Sequence, residues 1–156
     1  MERDISTVRA EALDFLKTHN AGVVATVSKE WNPHASAVYY VADDDFNVYF
    51  ITKIDSRKYA AIQAHPQAAF TVGTLEAPRT LQIEGAASEL RSDEDRAAHI
   101  GDIMDMLEKV NPAFLPLVKM DSEVVMMWLQ PKWIRWGDFS ALGVGNTNVF
   151  ADIPLT

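Results

Sequence analysis

The sequence predicts a mainly β, α+β fold: an antiparallel barrel with flanking helices. Three observations carry that expectation. Seven short runs rich in Val, Ile, Thr, Tyr and Phe succeed one another, divided by Asn, Asp, Gly and Pro, the pattern of a sheet that closes on itself. Helical periodicity is confined to a few stretches, which become additions to the barrel. The runs VYYVA and VYFIT (38–42 and 48–52) are apolar at consecutive positions. A strand with water on one side should alternate instead. Their second face therefore needs a helix, a ligand or another subunit over it. With few helices to spare, a ligand or a subunit is favoured.

The elements follow in order. Residues 4–19 read as a helix with Ile5, Val8, Ala12, Phe15 and Leu16 on one face, stopped at Asn20-Ala21-Gly22. GVVATVS (22–28) and HASAVYYVA (34–42) are strands joined through KEWNP, and DDDFN turns the chain into NVYFITK (47–53). A short helix spans 56–65. PQAAFTVGT (66–74) and RTLQIEGAASEL (79–90) are the next strands. Ser92 caps a longer helix reaching about Val110, with Ile100, Ile103, Met104 and Leu107 inward. PAFLPLV is irregular or a single turn. SEVVMMWLQ (122–130) and KWIRWGDFS (132–140) are the last strands, separated at Pro131, and the tail beyond them has no periodicity.

Composition narrows the function. A chain of 156 residues with 48% hydrophobic and 23% charged residues suits one globular domain with one core. A net charge of −8 argues against a nucleic-acid partner, which requires a basic face. No run approaches the roughly 20 apolar residues of a membrane span, and the amphipathic start does not resemble a leader peptide. Cysteine is absent, which excludes disulfides, thiolate catalysis and cysteine-ligated zinc. The expectation is a cytoplasmic domain.

Against this acidic background, FITKIDSRKYAAIQAHP (50–66) stands out. Lys53, Arg57 and Lys58 crowd the start of a short helix. Ser56 follows a strand and a tight loop and makes a good N-cap. A helix N-terminus repels cations, so Arg57 and Lys58 in the first turn call for an anion, and the exposed N–H groups there suit a phosphate. Thr52, at the end of the preceding strand, adds a hydroxyl. The competing reading is a solvated helix start whose cations pair with Asp55 or with Asp43–Asp45.

NPHASAVYYV, VYFITKIDSRKYAAIQAHPQAAFTV and RTLQIEGAASEL together resemble the FMN-binding split barrel of the pyridoxamine 5′-phosphate oxidase family. The order matches: a Pro-containing turn and strand, a strand ending in Thr, Ser-Arg-Lys opening a helix, a His-Pro step, and a strand closing in Gly-x-Ala. The likeness covers about residues 12–90 well and 122–140 loosely. It implies a split-barrel domain over residues 1–140, with a tail, 141–156, packed on the barrel or on a partner subunit. It implies a homodimeric, FMN-dependent oxidoreductase with the flavin at the subunit interface and a small-molecule redox substrate. Arg57 and Lys58 would take the phosphate, helped by Ser56 and Thr52. Ser36, Ala37 and Val38 would offer backbone groups along the ring, and Ile51 would line the same site. Thr80 and Gln82 share one strand face, which fits the flavin side, or else is an ordinary solvent face. The alternatives are a deazaflavin-dependent reductase, a non-catalytic flavin- or haem-binding protein, and a split barrel with an empty site.

The departures bear on the substrate. The oxidases carry Arg where this chain has Ser36, Lys near Val41 and Gln where Thr80 stands, and their basic C-terminal motif has no counterpart in GVGNTNVFADIPLT. The substrate is therefore expected not to be pyridoxamine phosphate. Trp133 and Trp136 are similar to an aromatic near the flavin, but strand geometry puts them on opposite faces, so at least one belongs to the core. His19, His34, His65 and His99 have no metal-ligand spacing. The methionines 104, 106, 120, 126 and 127 read as core or interface filler. Asp43–Asp45 reads as a turn, and no side chain is marked as a catalytic acid or base.

Overall fold

The computed structural model describes residues 3–73, 78–120, 123–143, 145 and 147–156. Seven strands occur among them: β1 (Ala21–Val27), β2 (Pro33–Ala42), β3 (Val48–Lys53), β4 (Gln67–Gly73), β5 (Arg79–Glu89), β6 (Val124–Asp138) and β7 (Phe150–Asp152). Four helices accompany them: α1 (Ile5–Thr18), α2 (Arg57–Ala64), α3 (Asp93–Val110) and α4 (Leu115–Met120), the last preceded by a 3₁₀ turn, Pro112–Phe114. The sheet runs β3-β2-β1-β4-β5-β6, every pair antiparallel, and β3 pairs with β6 to close a six-stranded barrel. Closure leaves no open edge within the barrel, and β7 adds to β6 outside it through Arg135, Trp136 and Gly137. Among the described residues no helix is long and apolar enough to cross a membrane.

The barrel interior is filled from the inward-facing positions and from α1. Val8, Ala12, Phe15 and Leu16 bury one face of α1 among Tyr40, Phe50, Phe70 and Trp136. The Phe15 and Trp136 rings meet edge-on at 5.0 Å, and the Tyr40 hydroxyl donates to the Leu16 carbonyl at 2.7 Å. Ile5, expected on the buried face, is exposed. Asp4 caps this helix by accepting from the Thr7 N–H.

Two expectations change. The strands read as separate on either side of Pro131 are one strand, β6. Gly85 faces Pro131 and Glu84 faces Trp133, so Lys132 is the extra residue of a β-bulge. Proline lacks the ladder donor and is tolerated at a bulge. A side chain at Gly85 would place its Cβ 2.0 Å from the Gln130 carbonyl oxygen, so only glycine permits that approach. The seventh strand lies instead in the tail, where periodicity gave no sign of it.

The second correction concerns the doubly apolar strands. Helix α3 covers much of their outer face: Ile103, Met106 and Leu107 pack with Tyr49, Met126 and Leu90, and with partly buried Val41, Ile51 and Tyr39. Met106 takes an inward place, while Ile100 is exposed. A helix therefore supplies much of the cover that the sequence assigns to a ligand or a subunit. Thr74, Ser122 and the Met120 side chain, named above, lie outside the described residues.

Candidate functional site

Strand β3 ends at Lys53 and α2 begins at Arg57, with Ser56 between them as the N-cap. The Ser56 hydroxyl accepts from the Tyr59 N–H at 3.1 Å, as its place ahead of a helical run predicts. Thr52, almost wholly buried, sets its hydroxyl 2.9 Å from that of Ser56. The Lys58 ammonium donates to the Thr52 hydroxyl at 3.2 Å. Burial pulls the Lys58 pKa below its ordinary value. Tyr59 anchors the helix from its other side by donating to Glu89 at 2.8 Å.

This polar group forms one end of a cavity of about 550 Å³. Thr52, Ser56, Lys58, Lys53 and Asp55 supply its polar lining, so Asp55 brings one negative charge against two ammonium groups. Ala21, Ala37, Val38, Tyr39, Ile51, Phe114 and Val124 complete it. An apolar chamber with a cationic, hydroxyl-rich end suits a ligand that is part ring and part anion.

Six of the residues singled out in the sequence meet here: Ala37, Val38, Ile51, Thr52, Ser56 and Lys58. Arg57 is exposed at the first position of α2 and does not line the cavity. Ser36 pairs with Val24 on the interior-facing side of β2, and its buried hydroxyl has no hydrogen-bond partner. Thr80 lines an adjoining hollow of about 420 Å³, which shares Ala21 and Ala37 with the first. Gln82 lines neither; it sits on the outward face between Thr71 and Arg135. Trp136 is core, whereas Trp133 lies on the other face under the Arg135 guanidinium, 4.9 Å from its ring. Tyr39 was legible from strand alternation, two residues beyond Ala37. Phe114 was not, because PAFLPLV has no period.

Residues 8–136 match the sequence profile of pyridoxamine 5′-phosphate oxidase, most of the chain. The chain belongs to that family. Within the pyridoxamine 5′-phosphate oxidase family, the chain is 32% identical over 78 residues to the pyridoxine/pyridoxamine 5′-phosphate oxidase of Cupriavidus necator, a stretch covering 50% of this chain and 37% of the relative. Little more than a third of that relative is therefore matched. Among solved structures, a heme binding protein from Mycobacterium smegmatis superposes with a TM-score of 0.72 at 19% identity, over 97% of this chain and 59% of the other. An F420 Reductase superposes with a TM-score of 0.61 at 22% identity, over 78% and 93%. At those identities the two structures speak for the split-barrel fold alone.

Proposed function

We propose that this protein is an FMN-dependent oxidoreductase acting as a homodimer on a small-molecule redox substrate. The observation that carries this reading is Lys58, a half-buried ammonium beside the Thr52 and Ser56 hydroxyls and the first N–H groups of α2. A cation held partly out of water is stabilised when an anion joins it. A phosphate at a helix N-terminus gains from both the dipole and the free donors. Thr52, Ser56 and Lys58 would hold the FMN phosphate, with Arg57 in the same turn. Ala37, Val38 and Ile51 would line the ring, and the Ser36 backbone would run beside it.

When bound, the flavin supplies the redox chemistry. The chain's own residues bind the phosphate, orient the ring and keep water from one side of it. Thr80 and Gln82, on the outward face beside the adjoining hollow, suit a ring shared between two subunits. The dimer has its own support. Ala21, Val23 and Ala25 of β1 and Ala35 and Ala37 of β2 are exposed, and the register sets Val23 opposite Ala37 and Ala25 opposite Ala35. Such a row of small apolar side chains lets a second copy approach closely.

Pyridoxamine phosphate is not the substrate on this reading. Ser36 carries no charge, and Val41 packs under α3, so neither position offers a cation to a second phosphate. Haem is disfavoured because the described cavity lining offers no histidine, methionine or cysteine to the iron, and its one tyrosine hydroxyl, that of Tyr39, is already bonded to Asn111. A phosphorylated deazaflavin would fit the same polar end. The absorbance spectrum of the purified protein, followed by identification of the released chromophore, separates FMN, deazaflavin and haem. A colourless protein that takes up none of them on dialysis would overturn the proposal.

A further inference from the structure

Phe114 belongs to neither buried apolar cluster. It ends the 3₁₀ turn between α3 and α4, stays 40% exposed, and faces the cavity. Its ring meets that of Tyr39 nearly edge-on, with centroids 5.3 Å apart at 81°. The Tyr39 hydroxyl accepts from the Asn111 side-chain amide at 3.2 Å. Asn111 is also the C-cap of α3, its backbone N–H returning to the Leu107 carbonyl. The junction of α3 and α4 is thus fastened to the cavity face of β2 by one polar and one aromatic contact.

This arrangement has a consequence for recognition. The Thr52 and Ser56 hydroxyls and the Lys58 ammonium come from β3, α2 and the turn between them, whereas Tyr39 and Phe114 come from β2 and the helical junction. A large ring left partly in water adds little to the core, but its open face can stack on a planar ligand. We propose that Phe114, held by Tyr39 and Asn111, recognises the ring portion of the ligand and selects a planar fused-ring phosphate ester over one without a ring. This rests on the reading of the cavity as a flavin-phosphate site. Asn111 is a positioning residue, acting through Tyr39.

The test is a fluorescence titration of wild type, Phe114→Ala, Phe114→Leu, Phe114→Tyr and Asn111→Ala with FMN, with open-chain ribitol 5-phosphate as a ring-free competitor. Phe114→Ala is expected to weaken FMN by about 2- to 12-fold, the size of one ring contact, and to leave the competitor's inhibition constant unchanged. Phe114→Leu keeps apolar bulk without the ring and should lose nearly as much. Phe114→Tyr should restore binding. Asn111→Ala should give a smaller loss and an altered band shape of the bound flavin. Equal FMN affinity in wild type, Phe114→Ala and Phe114→Leu overturns the inference and leaves the phosphate site standing. Equal losses for FMN and ribitol 5-phosphate overturn it too, by making Phe114 structural. Wild type that binds neither compound overturns the site reading, and this inference with it.

Discussion

The hydroxyls of Thr52 and Ser56 lie 2.9 Å apart across the turn joining β3 to α2. Ser56 already accepts from the Tyr59 N–H, and Thr52 accepts from the Lys58 ammonium. The three side chains form one connected group aimed at the cavity. Replacing Lys58 by alanine removes the cation bonded to Thr52 in that group. A hydrogen bond to a charged group is worth about 1.5–3 kcal/mol, so Lys58→Ala should weaken FMN by roughly 10- to 150-fold. Riboflavin, which lacks the phosphate, should bind almost unchanged. Arg57→Ala should cost less than Lys58→Ala, because Arg57 is exposed and outside the lining. A parallel titration of both ligands checks this, and equal losses for FMN and riboflavin would contradict it.

The same lysine sets a pH dependence. Burial lowers its pKa from the ordinary 10.5, and a bound phosphate would raise it again by supplying a counter-charge. Binding should then take up a proton between the free and bound values, and FMN affinity should fall as pH rises through the lowered free value. At the acid end affinity should fall near pH 6, where a phosphomonoester dianion takes up a proton and loses one negative charge. Calorimetry in buffers of different ionisation enthalpy measures the proton count. Proton release on binding at alkaline pH would count against Lys58 as the phosphate ligand.

Gly85 opposite Pro131 is a site of steric necessity. An alanine Cβ would lie 2.0 Å from the Gln130 carbonyl oxygen, which is backbone and cannot rotate away. Gly85→Ala should destabilise by roughly 1–3 kcal/mol through overpacking, or about 2–12 °C in melting temperature. Thermal denaturation followed by circular dichroism gives the answer. An unchanged melt would mean that the bulge does not constrain the barrel.

The exposed row on β1 and β2 predicts its own disruption. Val23 lies opposite Ala37 on the outward face. Val23→Glu would put a charge against its own symmetry mate or a neighbouring apolar surface, which desolvation makes costly. If the proposed dimer forms through this row, the variant should scatter light as a monomer at a concentration where the wild type gives the mass of two copies, with little change in its circular dichroism. A dimer that survives the substitution would place the interface elsewhere.

Asp138 ties the chain start to the end of β6. It is 5% exposed and receives the Ser140 hydroxyl and N–H, with Arg79 and Arg3 at 3.5 and 3.6 Å. Burial favours the neutral acid, but the Ser140 bonds and the two guanidinium groups outweigh it and hold its pKa below 3.8. A depressed folded value contributes stability above the unfolded pKa, and that contribution is lost as pH falls through the folded value. Asp138→Asn should lower the melting temperature near neutrality and flatten its dependence on pH below about 4. Parallel acid denaturation curves for the two proteins would remove Asp138 from the account.

The sequence by itself determined most of the strands, the Ser56 cap and the grouping of Thr52, Ser56 and Lys58. These are local facts. A strand's alternation, a capping side chain and groups four to six residues apart across a tight turn depend on backbone geometry close at hand. Val38 and Ile51 reach the same cavity because β2 and β3 are joined by a short hairpin, which is also local. Tertiary structure decided the rest. Pro131 reads as a strand break until Gly85, distant in sequence, supplies the close approach that turns it into a bulge. Phe114 has no periodicity to announce it, and it meets Tyr39 only because α3 ends against β2. The cover over Val41 and Tyr49 likewise depended on where α3 folds back. Short β7 is held by its pairing with Arg135, Trp136 and Gly137, and its own three residues carry too little pattern to be read. In each case the deciding energy is a contact between segments far apart in the chain, formed only once the barrel closes.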